Sequence, residues 1–274
     1  MAASFYVVPQ WQGSGSSRAM RLADGAAAIR GDLPSASTTV IDVPAEAGDA
    51  QDTGVHRLSS IAAVRDRLAD ALASRREPAI TIGGDCGVEL AAIEHAARGR
   101  TLAVVWFDAH ADLNNPEGSP SSAFHGMVLR TLLGDGPEAL LPQHPLAAEQ
   151  VVLAGTRALD DGEQEYIETT GIRMLGPLEL GPDALVTAVE ATGADSVYLH
   201  IDLDVLDPGI VEGLGYPVPF GLTAATLVES IRALRRRFEF AGAGITEFAP
   251  ASREQAEGDL PTILRIIGAL TATP

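Results

Sequence analysis

Residues 102–114 read LAVVWFDAHADLN, from Leu102 to Asn114. The first part is apolar and rich in β-branched and aromatic residues, which predicts a strand over Leu102–Asp108. It then breaks into acids and an imidazole: Asp108, His110 and Asp112. In extended backbone alternate residues project to one face, so this spacing aims two carboxylates and a histidine the same way. Like charges at the end of an apolar strand are costly unless solvent or a cation meets them there.

Working outward, seven more β-type segments stand out: Phe5–Val8, Thr39–Val43, Ala79–Ile82, Val151–Ala154, Arg173–Leu175, Val197–Leu203 and Gly244–Phe248. Helical periodicity fills most of the gaps, at Ser17–Arg30, Leu58–Ser74, Val88–Ala97, Gly126–Leu133, Asp183–Thr192 and Thr223–Arg237, with a last helix at Leu260–Thr271. Strands alternating with helices predict an α/β fold in three layers, a mostly parallel eight-stranded sheet with helices on both faces. Ligands of such folds bind beyond the carboxyl ends of the strands. No linker-like run divides residues 1–274, which read as a single domain. Asn114–Ser122 (NNPEGSPSS) is the clearest loop, and it follows directly on a strand end.

A second cluster lies in HIDLDVLDP, residues 200–208. Asp202 and Asp204 share a strand face, and Asp207 stands at the turn before Pro208. Four aspartates and one histidine exceed what a single small ion with an open position needs, whereas two ions about 3.5–4 Å apart would use them all. Oxygen donors with some imidazole suit Mn²⁺, Mg²⁺ or similar ions.

Composition narrows the function. Hydrophobic residues make up 46 % of the 274 and charged residues 20 %, the balance of a globular protein. No apolar run approaches a membrane span, and the N-terminus shows no export signal, so a cytoplasmic protein with no membrane partner is expected. The net charge is −18, and all nineteen basic residues are arginine. Without lysine there is no Schiff base and no Walker-type phosphate loop. The acidic balance argues against nucleic acid as a partner. The one basic cluster, RALRRRF at 232–238, reads as a solvated helix face. The single cysteine, Cys86, excludes an internal disulfide.

The order GGDC, DAHAD, HGM, DLDVLDP and ITEF, spanning Gly83 to Glu247, resembles the ureohydrolase family of arginases, agmatinases and their relatives. The resemblance implies a single α/β domain and hydrolysis of a guanidino group with two Mn²⁺ ions. It also implies roles. Asp108 and Asp202 would bridge the ions, Asp112 would complete a first site, and His110 and Asp204 a second. His125 would move protons to the leaving amine, and Glu247 would hold the guanidinium. Asn114, Ser121 and Asp160 would contact the amino-acid end of the substrate. The chemistry of these residue types agrees: paired cations acidify water, an imidazole exchanges protons near neutral pH, and a carboxylate binds guanidinium by charge-assisted hydrogen bonds.

Three positions depart from the family pattern. Cys86 stands where the family motif GGDH has a metal-binding histidine, and a thiol is a soft ligand for an oxygen-rich site; either Cys86 ligates and one ion is held weakly, or it does not ligate and water fills the gap. Ala123 replaces an asparagine, and Ala158 an aspartate, of the arginase pattern. The cysteine variant resembles the branch of the family that cleaves Nω-hydroxy-L-arginine to hydroxyurea and L-ornithine in D-cycloserine biosynthesis, which makes that guanidino amino acid the expected substrate. An arginase or agmatinase releasing urea is the alternative. Other classes are a cysteine-nucleophile hydrolase built on Cys86 and a non-catalytic relative; the first leaves the metal-type residues unused, and the second does not explain why they are all present. His56, His95 and His144 read as surface or packing residues. His200 shares parity with Asp202 and is expected behind the site, as a buried hydrogen-bonding group. The oligomeric state is open: homo-oligomers are common in the family, while a chain ending soon after its last helix admits a monomer.

Overall fold

The computed structural model describes residues 4–273. One sheet carries eight strands: β1 (Ser4–Val8), β2 (Thr38–Val40), β3 (Ala79–Gly83), β4 (Leu102–Phe107), β5 (Val151–Ala154), β6 (Arg173–Leu175), β7 (Ser196–Asp202) and β8 (Glu239–Thr246). Their order is β2-β1-β3-β8-β7-β4-β5-β6, and every pairing is parallel. The expected α/β architecture is therefore present, and the sheet is wholly parallel.

Helices cover both faces because the inner strands are apolar on both. Helices α1 (Arg21–Arg30), α6 (Pro182–Glu190), α7 (Ala224–Arg237) and α8 (Arg253–Thr271) pack on the side of Val105, Phe107, Leu199 and Ile245. Helices α2 (Leu58–Leu72), α3 (Glu89–Ala97), α4 (Val128–Leu132) and α5 (Asp161–Thr170) cover the other face; α3 and α4 pack against Val104, Trp106 and Tyr198, and α2 also seals Tyr6 and Val8. Burying a side chain of this kind contributes about 1.5–3 kcal/mol each, which is why continuous apolar runs such as Leu102–Phe107 settle in the middle of the sheet.

Several boundaries differ from the sequence expectation. Strand β4 ends at Phe107 rather than Asp108, and β7 ends at Asp202 where Leu203–Val205 turns as a 3-10 helix. Strand β8 begins at Glu239 and stops at Thr246, because a run containing three small residues, Ala241–Ala243, still buries well between two neighbours. The short edge strand β2 is Thr38–Val40. Helix α1 starts only at Arg21, and the segment at 126–133 is a 3-10 turn, Phe124–Met127, followed by the short α4. Helix α8 starts at Arg253, capped by Ser252, and runs through Pro261, which in sequence resembles a first-turn proline. Helix α5 was absent from the sequence reading. It opens with a capping box in which Asp160 accepts from Glu163 N and Glu163 returns to Asp160 N.

Candidate active site

The four middle strands, β3-β8-β7-β4, are contiguous. Each delivers a motif at its carboxyl end: Asp85 and Cys86 after β3, Glu247 after β8, Asp202 and Asp204 at β7, Asp108 to Asp112 after β4. The chain passes from β3 to β4 across β8 and β7, a reversal of strand order, and the crevice outside such a switch point is where α/β sheets bind ligands. A cleft of about 510 Å³ opens there, lined by His110, Asp112, Asn114, Ser121, His125, Asp160, Asp202, Asp204, Tyr216 and Glu247 among others.

The aspartates converge through turns as well as through pleats. Because β4 has ended, Asp108–Asp112 is loop, and Asp112 takes a left-handed backbone (φ 52°) that a short polar side chain tolerates. Asp108 Oδ1 accepts from His110 N at 2.7 Å, and Trp106 Nε1 donates to Asp108 Oδ2 at 3.1 Å. Asp202 Oδ1 accepts from Asp204 N at 2.7 Å, and Asp204 Oδ1 accepts from Ala109 N at 3.0 Å. Arg157 braces the β7 turn by donating to the carbonyls of Asp204 (2.8 Å) and Val218 (2.7 Å). Glu247 is also left-handed (φ 63°) and is tied by its N–H to Gly84 O at 2.8 Å. Strained residues at a cleft are a signature of functional geometry. Gly84 is required for the approach of the N-terminal loop: a Cβ there would sit 1.6 Å from Gln10 O.

Donor atoms gather in three groups, each within 4.8 Å: Cys86, Asp108, Asp112 and His200; Cys86, Asp202 and Glu247; and Asp108, His110 and Asp204. We call the first group the inner half and the last the outer half. In the outer half His110 Nδ1 lies 3.0 Å from Asp204 Oδ2 and 3.5 Å from Asp108 Oδ1. Burial lowers the His110 pKa, yet these two carboxylates outweigh it and push it up to about 12. Burial raises Asp108, and the adjoining His110 and His200 more than cancel that and hold it below the usual carboxylate range. Burial and neighbouring acids raise Asp112 and Asp202 well above it, and Asp204 to about 6. Asp112 Oδ2 and Glu247 Oε2 are buried without hydrogen-bond partners. Packed, mutually repelling carboxylates with idle oxygens fit divalent cations.

Cys86 is buried. Its Sγ lies 3.3 Å from Asp202 Oδ2 and 3.4 Å from Thr246 Oγ1, and it does not line the cleft. Burial and the surrounding Asp202, Asp112, Glu247 and Asp108 push its thiol well above the ordinary value, which disfavours a nucleophilic thiolate.

His125 and Glu247 face each other, with His125 Nδ1 3.7 Å from Glu247 Oε1. Glu247 Oε1 also accepts from Cys86 N at 3.3 Å. Burial, then the charge of His110, pushes His125 down to about 4, below the near-neutral range anticipated from its residue type. Tyr216 packs against its ring, tilted by 33° with centroids 4.8 Å apart. Tyr216 escaped the sequence reading, as a loop aromatic in GLGYPVPFG with no patterned neighbour.

Asn114, Ser121 and Asp160 lie on the cleft. Asn114 Nδ2 donates to Asp160 Oδ2 at 2.8 Å, while Asp160 Oδ1 caps α5. Asp207 folds its own turn, accepting from Gly209, Phe220 and Gly221 N–H groups. His200 is fully buried and stacked on Trp106, with ring centroids 3.6 Å apart.

Residues 16–266 match the arginase family model. An arginase of Bacillus caldovelox is 35 % identical over 186 residues, 63 % of this chain and 62 % of that relative, so the alignment spans about three-fifths of its length. An arginase of Entamoeba histolytica is 28 % identical over 232 residues, 80 % of this chain and 78 % of the relative. Its crystal structure, solved with L-ornithine, superimposes with a TM-score of 0.88 at 25 % identity and covers 99 % of this chain and 98 % of its own. Fold, strand-end motifs and family match coincide, and this chain belongs to the arginase family.

Proposed function

We propose that this protein is a metal-dependent ureohydrolase that hydrolyses the guanidino group of an amino acid. The observation that carries the reading is the set of aspartates and histidines at the ends of β4 and β7, open to one cleft that His125 and Glu247 also face. Two divalent cations, Mn²⁺ by family resemblance, would be held by Asp108, Asp202, Asp112, His110 and Asp204. They would supply the acidity that turns water into a nucleophile near neutral pH. Glu247 orients the substrate: its idle Oε2 accepts from a guanidinium N–H once it is ionised beside that positive charge. His125 enters the cycle neutral, accepts a proton at a ring nitrogen and passes it to the leaving amine. Asn114, Ser121 and Asp160, which line the same cleft, would receive the α-amino and carboxylate groups.

L-Arginine, cleaved to urea and L-ornithine, is the substrate the relatives favour. Nω-Hydroxy-L-arginine, cleaved to hydroxyurea and L-ornithine for antibiotic biosynthesis, is a second reading. It is favoured by Cys86, a soft thiol where the family motif has a histidine, and by Ala123, which stands where the arginase pattern has an asparagine amide. One assay tests both readings. Protein with added Mn²⁺ is offered L-arginine, Nω-hydroxy-L-arginine and agmatine, and urea and hydroxyurea are quantified. Faster urea release from L-arginine selects the first reading, and faster hydroxyurea release selects the second. Turnover that survives EDTA but not thiol alkylation defeats both. His125→Asn is expected to lower kcat about 10²–10⁴-fold without changing bound Mn²⁺.

A further inference from the structure

The carboxyl ends of the strands gather acids; the amino ends gather arginines. Arg75 and Arg76 lie between α2 and β3, Arg98 and Arg100 between α3 and β4, and Glu239 opens β8. The sheet brings these turns around one cavity of about 470 Å³, which His95, Ala73 and Gly99 also line. The strands run parallel, so the cavity stands at the pole opposite the candidate active site, about 20 Å away along a strand such as β4. Neither arginine pair forms a basic run in the sequence, and His95 was expected only at the surface or in packing.

Four guanidinium groups around one cavity repel one another, although a chain of net charge −18 has acids to spare for them. Elsewhere Arg67 meets Asp42 at 2.8 Å and Arg237 meets Glu190 at 2.6 Å. Here Arg100 alone has an acid, Glu239 at 3.4 Å. Among the described residues, the side chains of Arg75, Arg76 and Arg98 make no hydrogen bond or ion pair. Cations just beyond a helix C-terminus also complement its dipole, and Arg100 does so by donating to Ala96 O at 3.1 Å. The other three donate to no helix carbonyl, so that role does not account for them. His95 supplies a second observation: its Nδ1 is buried without a partner. Burial first, then the charges of Arg98 and Arg100, push its pKa below the ordinary value. Idle donors beside unneutralised guanidinium groups fit an anion.

We infer that this cavity binds a dianionic phosphoryl group, as free phosphate or as the phosphate of a small phosphomonoester. Guanidinium forks match phosphate oxygens bidentately, and a phosphoryl group presents enough oxygens to engage several forks at once. The uncharged part of the lining is small, Ala73 and Gly99, so a ligand is held there chiefly through its charge. Glu239 shares Arg100 and opposes the anion, which sets the affinity below what the arginines alone would give. The inference does not depend on the metal-dependent reading above and fails or stands without it.

Mn²⁺-loaded protein would be titrated calorimetrically with inorganic phosphate and, separately, with glycerol 3-phosphate, with NaCl adjusted to hold ionic strength constant. Saturable binding of one anion per chain is expected. Tighter binding of phosphate assigns the free ion, and tighter binding of glycerol 3-phosphate assigns a phosphomonoester. The double variant Arg76→Gln, Arg98→Gln should weaken binding about 10-fold or more at unchanged Mn²⁺ content. Glu239→Gln should tighten it about 2–5-fold, a gain that a purely structural role for Glu239 would not give. No saturation by about 10 mM of either anion overturns the inference. Binding that the folded double variant leaves intact places the anion elsewhere, the metal centre included, and also overturns it. If the double variant does not fold by circular dichroism, Arg98→Gln alone and Glu239→Gln decide, and unchanged affinity in both overturns the inference.

Discussion

The outer and inner halves of the centre share Asp108 and differ in how their charge is balanced. In the outer half His110 lies against Asp108 and Asp204, and its side chain remains 33 % exposed. In the inner half Asp112 has a buried oxygen with no partner, and the nearest imidazole is 3.7 Å from Asp108. The first is a pre-formed ion pair; the second is a set of ligands waiting for charge. The contrast shows that a protein can neutralise part of a metal site with its own histidine and leave the rest under electrostatic tension.

Removing the shared carboxylate is the strongest way to break the comparison. Asp108→Asn should empty both halves and lower turnover about a thousandfold or more, since metal-centred charge stabilisation is worth several kcal/mol and about 1.4 kcal/mol is tenfold. Bound Mn²⁺ and kcat measured together check this; near-normal turnover would mean that the halves do not share a ligand.

The next effect is on pH. The folded Asp204 pKa of about 6 lies above its ordinary value of 3.8. Between these values the native state binds more protons than the unfolded chain, so metal-free stability falls as pH rises from about 4 through 6. Asp112, Asp202 and Glu247, also raised, act in the same sense, and together these four carboxyls outweigh His125, whose lowering to about 4 acts in the opposite sense below its ordinary value. Melting of EDTA-treated protein should therefore occur at lower temperature at pH 7 than at pH 5. Added Mn²⁺ competes with those protons and should raise Tm more at pH 7.

The smallest effect separates the halves directly. In metal-free protein at pH 7, His110→Asn should destabilise by about 1–2 kcal/mol, a buried-pair loss discounted for its partial exposure. Asp112→Asn should stabilise by about 1 kcal/mol, because it removes an acid whose ionised form burial and Asp108 disfavour in the folded state but which ionises freely in the unfolded chain. Chemical denaturation of both variants reads the signs; the same sign for both would erase the distinction.

The sheet was legible because burial on both faces leaves unmistakable apolar runs, as in Leu102–Phe107 and Ser196–Ile201. The motif residues were legible because acids at the ends of such runs need a reason to be there. Alternation explained their convergence only in part. His200 and Asp202 do share a face of β7, whereas Asp112 and Asp204 arrive through a left-handed residue and a 3-10 turn. Helix α5 carries few apolar residues and buries only Glu163 and Ile167, so periodicity did not reveal it, though its Asp160–Glu163 capping box is present in the sequence.

By itself the sequence determined the alternation of strands and helices, the order of the motifs, the absence of lysine and the departure at Cys86. These are local properties, written in residue type and spacing. Only the tertiary structure decided the strand order that brings four motif-bearing strands side by side. It alone set Tyr216 against His125 and turned His200 toward the inner half with Glu89 behind it. Such contacts join residues far apart in the chain, and their distances follow from how the sheet is wound and its helices packed.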